Sequence, residues 1–212
     1  MNITKDKFVL IYRIVLIIVS FISLYLNFQF IPFRIGILYF TYLSNIAGLL
    51  YFIVLVIRTI FKKDKDNDNE WHYIVKGKVT MALTLTMFVY YLILAKGNTS
   101  YINHELECAL VHLIVPLLVI FDYIFFGKKG HLRKEYPYIW SIALIIYQGF
   151  IIFYSSIGGR FLDGDIVPYL YMDSSKFGTI GVMINYILIF IIFIVYGQIV
   201  CLIDNYLGKR MK

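Results

Sequence analysis

Residues 106–126 read LECALVHLIVPLLVIFDYIFF, a stretch in which Glu107, His112 and Asp122 are the only acidic or basic side chains. A bilayer core about 30 Å thick is crossed by roughly 20 apolar residues in an α-helix. A helix satisfies its backbone hydrogen bonds internally, as the hydrocarbon interior of a membrane requires. The stretch therefore predicts a membrane-spanning helix that carries a buried histidine and a buried carboxylate.

Five further stretches have the same length and apolar character. Together the six predicted spans are, approximately, Phe8–Phe28, Ile35–Phe61, Val79–Ala95, Leu106–Phe126, Tyr138–Ile157 and Phe177–Ile203. Strands of a membrane β-barrel are instead segments of about 10 residues with alternating polarity. The sequence thus predicts an all-α polytopic membrane protein, a bundle of six transmembrane helices that forms a single integral membrane domain over residues 1–212.

The composition supports the same fold class. Hydrophobic residues make up 60% of the 212 residues, charged residues only 16%, and the mean hydropathy is +0.77. A soluble fold of this size cannot bury so much apolar surface, which excludes a soluble enzyme, a disordered chain and a secreted disulfide scaffold. The two cysteines, Cys108 and Cys201, fall in apolar stretches on opposite predicted faces and are expected to be reduced.

Basic residues are distributed unequally between the predicted loops. The two termini, the second loop and the fourth loop hold fifteen of the 20 Lys and Arg residues, whereas the other loops hold four. The second loop contributes Arg58, Lys62, Lys63, Lys65, Lys76 and Lys78. Cytoplasmic loops carry the excess of Lys and Arg in membrane proteins, so both termini are predicted to be cytoplasmic. The net charge of +7 is assigned to contact with anionic lipid rather than with nucleic acid.

Three polar side chains fall at a similar predicted depth in three different spans. Thr41 lies about seven residues inside the second span, His112 about six inside the fourth and Asn185 about eight inside the sixth. At 1.5 Å per residue, these positions are roughly 9–12 Å from the outer ends of their spans. Equal depth is a requirement for a shared site, and polar groups inside a membrane need partners.

The second span also carries a polar stripe. Thr41, Ser44, Asn45 and Gly48 follow the i, i+3, i+4, i+7 spacing of one helical face, so this face is expected to point into the bundle. Two interpretations are open. Small and polar residues of this kind pack membrane helices together, and polar residues inside a membrane also line functional sites.

His112 stands four residues before Pro116. Proline has no N–H and clashes with the carbonyl four residues back, which predicts a kink and an unpaired carbonyl at His112. Burial favours the neutral ring, which is the form that acts as a base; a histidine hydrogen-bonded between helices is the alternative. No metal site is predicted, because His72, His104 and His131 fall in predicted loops without ligand spacing.

A second polar pair is predicted in the inner half of the membrane. Arg13 lies about five residues inside the first span, and Asp122 lies about four residues inside the fourth. Each charge alone is costly within a bilayer, so the two are expected to form a structural ion pair. The alternative is that the Arg13 side chain extends to lipid phosphates.

Three segments resemble one family. Residues 40–45, FTYLSN, resemble the second-helix signature of the androgen-induced and androgen-dependent TFPI-regulating protein family of six-helix membrane proteins, which includes the bacterial Pr6Pr family. Residues 110–126, LVHLIVPLLVIFDYIFF, resemble the fourth-helix signature and are the most specific match. Residues 167–173, VPYLYMD, resemble a tyrosine–proline–phenylalanine–acid element before the last helix, and Asn185 falls at a family asparagine.

The resemblance implies an activity that the composition does not. Animal members of the family are intramembrane threonine hydrolases of fatty-acid esters of hydroxy fatty acids, and their nucleophile and base correspond to Thr41 and His112. This implies a hydrolase whose partner is a membrane lipid or fatty-acid ester, with no metal, cofactor or nucleic acid. The bacterial branch, which the chain resembles more closely, implies a bacterial inner membrane. A noncatalytic protein that binds or moves a lipid or small solute is the alternative.

A threonine hydrolase needs a base within about 2.6–3.2 Å of the hydroxyl and fixed donors for the oxyanion. Asn45 and Asn185 are the predicted donors, with Ser44 as a further candidate. Tyr90 and Tyr91 are predicted near the outer surface, either as membrane anchors or as a lining of the substrate entrance.

Overall fold

The computed structural model describes residues 3–61, 70–94 and 104–210, with side chains from residue 6 onward. Within these ranges the chain is largely helical and forms no strand. Its α-helices are α1 (Ile3–Phe30), α2 (Phe33–Gly36), α3 (Phe40–Ile60), α4 (Glu70–Val89), α5 (Glu105–Ala109), α6 (Val115–Phe126), α7 (Tyr136–Ser156) and α8 (Ser174–Arg210). A π-helical segment at Tyr90–Leu94 continues α4, and another at Leu110–Ile114 joins α5 to α6.

Six helical stretches within the described ranges are long and apolar enough to cross a membrane. In chain order these spans are Asp6–Phe30, Phe40–Ile60, Glu70–Leu94, Glu105–Phe126, Tyr136–Ser156 and Ser174–Arg210. The predicted all-α polytopic membrane fold is therefore confirmed. Large apolar side chains such as Ile18, Phe21 and Ile192 remain exposed along the spans, as lipid-facing side chains do. The cytoplasmic location of the termini stays a prediction.

The third span begins nine residues earlier than predicted. It starts at Glu70 rather than Val79, so Lys76 and Lys78 belong to the helix and not to a loop. The predicted start was wrong because a hydropathy criterion excludes charged residues from a span. A membrane helix can include charged residues when they form ion pairs or hydrogen bonds with other side chains. The loop lysines Lys62, Lys63, Lys65 and Lys96 and the predicted end of this span at Ala95 lie outside the described residues.

The second span begins later than predicted. Residues Phe33–Gly36 form a separate short helix, and α3 starts only at Phe40, after Tyr39 with its extended backbone. Thr41 is therefore the second residue of α3 and not about seven residues inside the span. This position places it among the first-turn residues whose backbone N–H groups have no partner within the helix.

The chain forms two compact units, residues 1–128 with spans one to four and residues 129–212 with spans five and six. The prediction of a single membrane domain stays a prediction. In the first unit, one buried apolar cluster joins all four spans and consists of Leu16, Phe52, Leu55, Val79, Leu83 and Val119. Spans two and three approach closely at Gly48, where a Cβ atom would lie 2.9 Å from Leu83 Cδ1.

In the second unit, the buried carboxylate of Asp204 ties the segment before α7 to the last turns of α8. Its Oδ2 accepts hydrogen bonds from the backbone N–H groups of Gly130, His131 and Leu132 at 2.9, 2.9 and 3.0 Å. Gly130 has a φ of 80°, a left-handed conformation that favours glycine. Three donors satisfy a carboxylate that burial would otherwise penalise strongly.

Asp173 caps the start of α8. Its Oδ1 accepts hydrogen bonds from the Ser175 hydroxyl at 2.6 Å and from the Ser175 N–H at 2.8 Å, and these bonds lower the pKa of Asp173. Such a cap satisfies one of the first-turn amides of the helix. Cys108 and Cys201 are both free and buried, as expected.

We expect Asp204→Ala to destabilise the protein by at least about 3 kcal/mol, because three N–H groups lose their acceptor and each costs about 1–3 kcal/mol. Unfolding of the purified protein in detergent micelles measures this loss. Asp165→Ala, at an exposed loop residue, is the control and should change the free energy of unfolding by less than about 0.5 kcal/mol. Equal stability of the two variants would contradict the anchoring role.

Candidate functional site

Thr41 and His112 lie side by side in the first unit. Thr41 is in the first turn of α3, and His112 is in the π-helical segment of the fourth span. Thr41 Oγ1 and His112 Nε2 are 3.4 Å apart, and the two residues are only 7% and 4% exposed. The structure thus brings together a hydroxyl and an imidazole that are 71 residues apart in sequence.

The partners of the His112 ring define its tautomer. Nδ1 is 3.0 Å from the backbone carbonyl of Cys108, which can only accept a hydrogen bond. Nδ1 therefore carries the proton, and in the neutral ring Nε2 presents its lone pair to the Thr41 hydroxyl. The separation of 3.4 Å is longer than a proton-transfer distance of about 2.6–3.2 Å, and catalytic hydrogen bonds of this kind commonly shorten when substrate binds.

The carbonyl that Pro116 leaves without a backbone donor is that of Val111, one residue before the carbonyl that the sequence predicts. The Val115 N–H bonds to the carbonyl of Leu110, five residues back, so the helix has π register here. In this register the donor for the Val111 carbonyl would be residue 116, and proline has no N–H. The Asn45 amide fills that acceptor from α3 at 3.2 Å. The structure thus has a π-helical segment before Pro116 that is bonded to the second span, while the kink and the unpaired carbonyl at His112 stay predictions.

Asn45 and Ser44 hold the backbone of Thr41. The Asn45 amide nitrogen donates to the Thr41 carbonyl at 2.8 Å as well as to Val111, so both of its hydrogens are used. The Ser44 hydroxyl is 2.9 Å from the Thr41 carbonyl and 2.9 Å from the Thr86 hydroxyl of α4. These contacts make Asn45 and Ser44 positioning residues for Thr41, whereas oxyanion donation by Asn45 would require it to break an existing bond.

Tyr90 is part of the site, although the sequence suggested a surface position. It is 8% exposed and stacks on the His112 ring, with centroids 3.9 Å apart and an interplanar angle of 23°. Tyr91, by contrast, is 42% exposed. The Tyr90–His112 contact joins two π-helical segments, which are rare and occur frequently at functional sites.

Asn27 of α1 is a polar residue that the sequence analysis missed. Its amide nitrogen donates to the carbonyls of Ser23 at 2.8 Å and Glu107 at 2.9 Å, and its oxygen accepts a bond from the Tyr42 hydroxyl at 3.1 Å. These bonds connect spans one, two and four beside the site. The sequence does contain a signal for Asn27. Ser20, Ser23 and Asn27 follow the i, i+3, i+7 spacing of one helical face.

Asn185 lies in the second unit, in α8. Its amide nitrogen donates to the backbone carbonyl of Tyr171 at 2.9 Å, which ties α8 to the segment that precedes it. Burial raises the pKa of the Tyr171 hydroxyl well above its usual value. Oxyanion donation by Asn185 stays a prediction.

The predicted ion pair between Arg13 and Asp122 is present and has a third member. Arg13 Nε is 2.8 Å from Asp122 Oδ1, and Lys76 Nζ is 2.8 Å from Asp122 Oδ2. Asp122 is completely buried, and Lys76 is 6% exposed. Lys76 was missed because it was assigned to a loop. The triad connects spans one, three and four. Gly127 lies close to it, since a Cβ atom at this position would be 3.2 Å from the Lys76 ammonium.

No protein-family model matches the chain, and no curated protein or solved structure matches it either. Among the described residues, no group of three His, Cys, Asp or Glu side chains could hold a metal ion.

We expect His112 to be the neutral Nδ1–H tautomer, because Nδ1 faces a carbonyl. Nitrogen-15 NMR of histidine-labelled protein in micelles should show one ring with Nδ1 protonated and Nε2 unprotonated, and His112→Gln should remove these signals. Thr41→Val, which deletes the hydroxyl but keeps the shape, should shift the Nε2 resonance more than that of Nδ1. A proton on Nε2 would rule out the proposed orientation of the ring.

We expect Asp122→Asn to destabilise the protein by about 3–5 kcal/mol, because the buried Lys76 ammonium and the partly buried Arg13 guanidinium lose their counter-ion. Adding Lys76→Met to Asp122→Asn removes one unpaired cation and should recover part of this loss. Unfolding of the single and double variants in micelles measures the coupling. Strictly additive losses would show that Lys76 and Asp122 do not interact.

Proposed function

We propose that this protein is an intramembrane hydrolase of fatty-acid esters in which Thr41 is the nucleophile and His112 the general base. The observation that carries the proposal is the buried Thr41–His112 contact, with the ring oriented from behind by the Cys108 carbonyl. A nucleophile beside a base, with a third group that orients the base, is the arrangement of covalent hydrolases. Here a backbone carbonyl takes the part that a carboxylate has in other triads.

In the first step, Thr41 Oγ1 attacks the carbonyl carbon of the ester, and His112 Nε2 accepts the hydroxyl proton. The bond from that carbon to the alcohol oxygen then breaks. The departing alkoxide takes the proton from His112 and leaves as a neutral alcohol. Thr41 is now esterified by the fatty acid.

In the second step, a water molecule attacks the carbonyl carbon of this new ester and gives a proton to His112 Nε2. The bond between that carbon and Thr41 Oγ1 breaks, and the threonine oxygen recovers the proton from the ring. The products are a fatty acid and the original pair of residues.

The oxyanion of both steps requires donors, and the start of α3 supplies a suitable one. The backbone N–H of Thr41 is a first-turn amide, and the N-terminus of a helix carries the positive end of its dipole. The side chain of Thr41 leans toward the same end of the helix. This arrangement favours the Thr41 amide over the engaged Asn45 amide for stabilising developing negative charge.

The surroundings of the site support a lipid as substrate. The site lies in a unit whose outer surface is lined by exposed apolar side chains along membrane-length helices, so an acyl chain can approach through the lipid. We assign the chain to the six-helix family named above and to a bacterial inner membrane on the strength of residues 40–45, 110–126 and 167–173.

The test is turnover of a fatty-acid ester of a hydroxy fatty acid by the purified protein in detergent. Thr41→Ala and His112→Ala should each lower turnover by about 10³-fold or more, since each removes a reacting group. Thr41→Ser should retain activity because it keeps the hydroxyl. A fluorophosphonate probe should label Thr41, and His112→Ala should suppress the labelling.

Thr59→Ala is the matched control. Thr59 lies in the last turn of the same helix and donates to the Leu55 carbonyl at 2.9 Å, so its loss should leave turnover unchanged. Unchanged turnover in both Thr41→Ala and His112→Ala would exclude the mechanism. A wild-type protein that binds lipid esters without cleaving them would favour the alternative, a noncatalytic protein that binds or moves a lipid or small solute.

A further inference from the structure

Ser20 Oγ, Ser23 Oγ and Asn45 Oδ1 are buried polar atoms of the first unit for which the described residues provide no hydrogen-bond partner, and these residues are 1%, 0% and 1% exposed. Buried polar atoms in folded proteins are nearly always paired, either with protein groups or with ordered water. Three exceptions in neighbouring helices call for a common explanation.

The packing of α1 on α3 shows where the two serines lie. Leu16 belongs to the same cluster as Phe52, and Asn27 accepts a hydrogen bond from Tyr42, so the two helices run antiparallel over this stretch. Interpolation along the two helices places Ser23 level with residues 45–46 of α3. Ser20 lies about one helical turn further along the same face of α1.

Asn45 lies at the junction of three spans. Its amide nitrogen bonds the Val111 carbonyl in the π-helical segment of the fourth span, and α1 packs against both α3 and that segment. Asn45 is therefore buried where the helix that carries the two serines packs against α3 and the π-helical segment. Hydroxyls can donate and accept, whereas this amide oxygen can only accept.

We propose that Ser20, Ser23 and Asn45 hold internal water in this interface, and that this water supplies the nucleophile that hydrolyses the Thr41 ester. The serine hydroxyls and the Asn45 oxygen offer the two to four polar contacts that a buried water needs. Asn45 stands about 6 Å along the helix axis from Thr41, on the same face. The second half of this inference rests on the proposed function, because only an esterified Thr41 requires a hydrolytic water.

An internal source of water explains how a site among lipid-facing helices completes the second step. The attacking oxygen comes from the held water, its proton goes to His112, and the threonine oxygen leaves the acyl carbon and is reprotonated by the ring. The water is consumed in each turnover and must be replaced. Its supply therefore controls deacylation and leaves acylation untouched.

The water site is tested first through stability, without any use of activity. Ser20→Ala and Ser23→Ala together should lower the melting temperature by about 2–4 °C, because bound water loses two partners. Ser141→Ala is the reference, since that buried hydroxyl donates to the Tyr138 carbonyl at 2.8 Å and its loss shows how far the removal of one paired hydroxyl lowers the melting temperature. An unchanged or raised melting temperature in the double variant would overturn the water site, because removing a hydroxyl that has no partner is neutral or stabilising.

The role of the water is tested with a p-nitrophenyl fatty-acid ester in a rapid-quench experiment. In the Ser20→Ala and Ser23→Ala double variant, the first release of p-nitrophenol should keep its rate while steady-state turnover falls about 10-fold. Intact-protein mass spectrometry should then find the acyl group on Thr41. Ser141→Ala should match the wild type in both phases.

The outcomes separate the two proposals. Unchanged steady-state turnover in the double variant would overturn the role of the water and leave the hydrolase intact. A wild type that never forms an ester at Thr41 would overturn both the hydrolase and the role of the water, while the melting temperatures still decide whether the water site exists.

Discussion

Pro116 lacks an N–H group, and the arrangement of the site depends on that one missing donor. Because the helix before it adopts π register, the carbonyl of Val111 is open to a donor from another span, and Asn45 supplies it. The same amide holds the carbonyl of Thr41. A chain of bonds therefore runs from a backbone defect in one helix to the backbone of Thr41 in another. The cost of an irregular backbone inside a membrane is offset by partners from a neighbouring span.

Polar side chains in the first unit are divided into two layers by the apolar cluster around Leu16 and Val119. One layer contains the neutral groups around Thr41 and His112, and the other contains the charged triad of Asp122. Charges need full pairing in a medium of low dielectric constant, whereas neutral groups can keep a lone pair available. The separation lets one layer connect the helices through ion pairs while the other contains the uncharged contact between Thr41 and His112.

The spans were predictable because a stretch of about twenty consecutive apolar residues rarely forms anything other than a transmembrane helix. The Arg13–Asp122 pair was predictable for a related reason, since isolated charges in hydrocarbon need each other. Lys76 was not, because its place within the helix depends on a partner 46 residues further along the chain. The role of Asn45 was also missed. Its spacing with Thr41 is visible in the sequence, but the π register that gives it the Val111 carbonyl is a tertiary outcome.

The triad also imposes an order on biosynthesis. Arg13 and Asp122 are 109 residues apart, so at about 5–20 residues per second the arginine is made about 5–20 s before its counter-ion. During that interval the first helix carries an unneutralised guanidinium, which disfavours the centre of the bilayer. The ion pair that connects the first and fourth spans can therefore form only after residue 122 has been synthesised, and a nascent chain interrupted before that point lacks the acidic partner of Arg13.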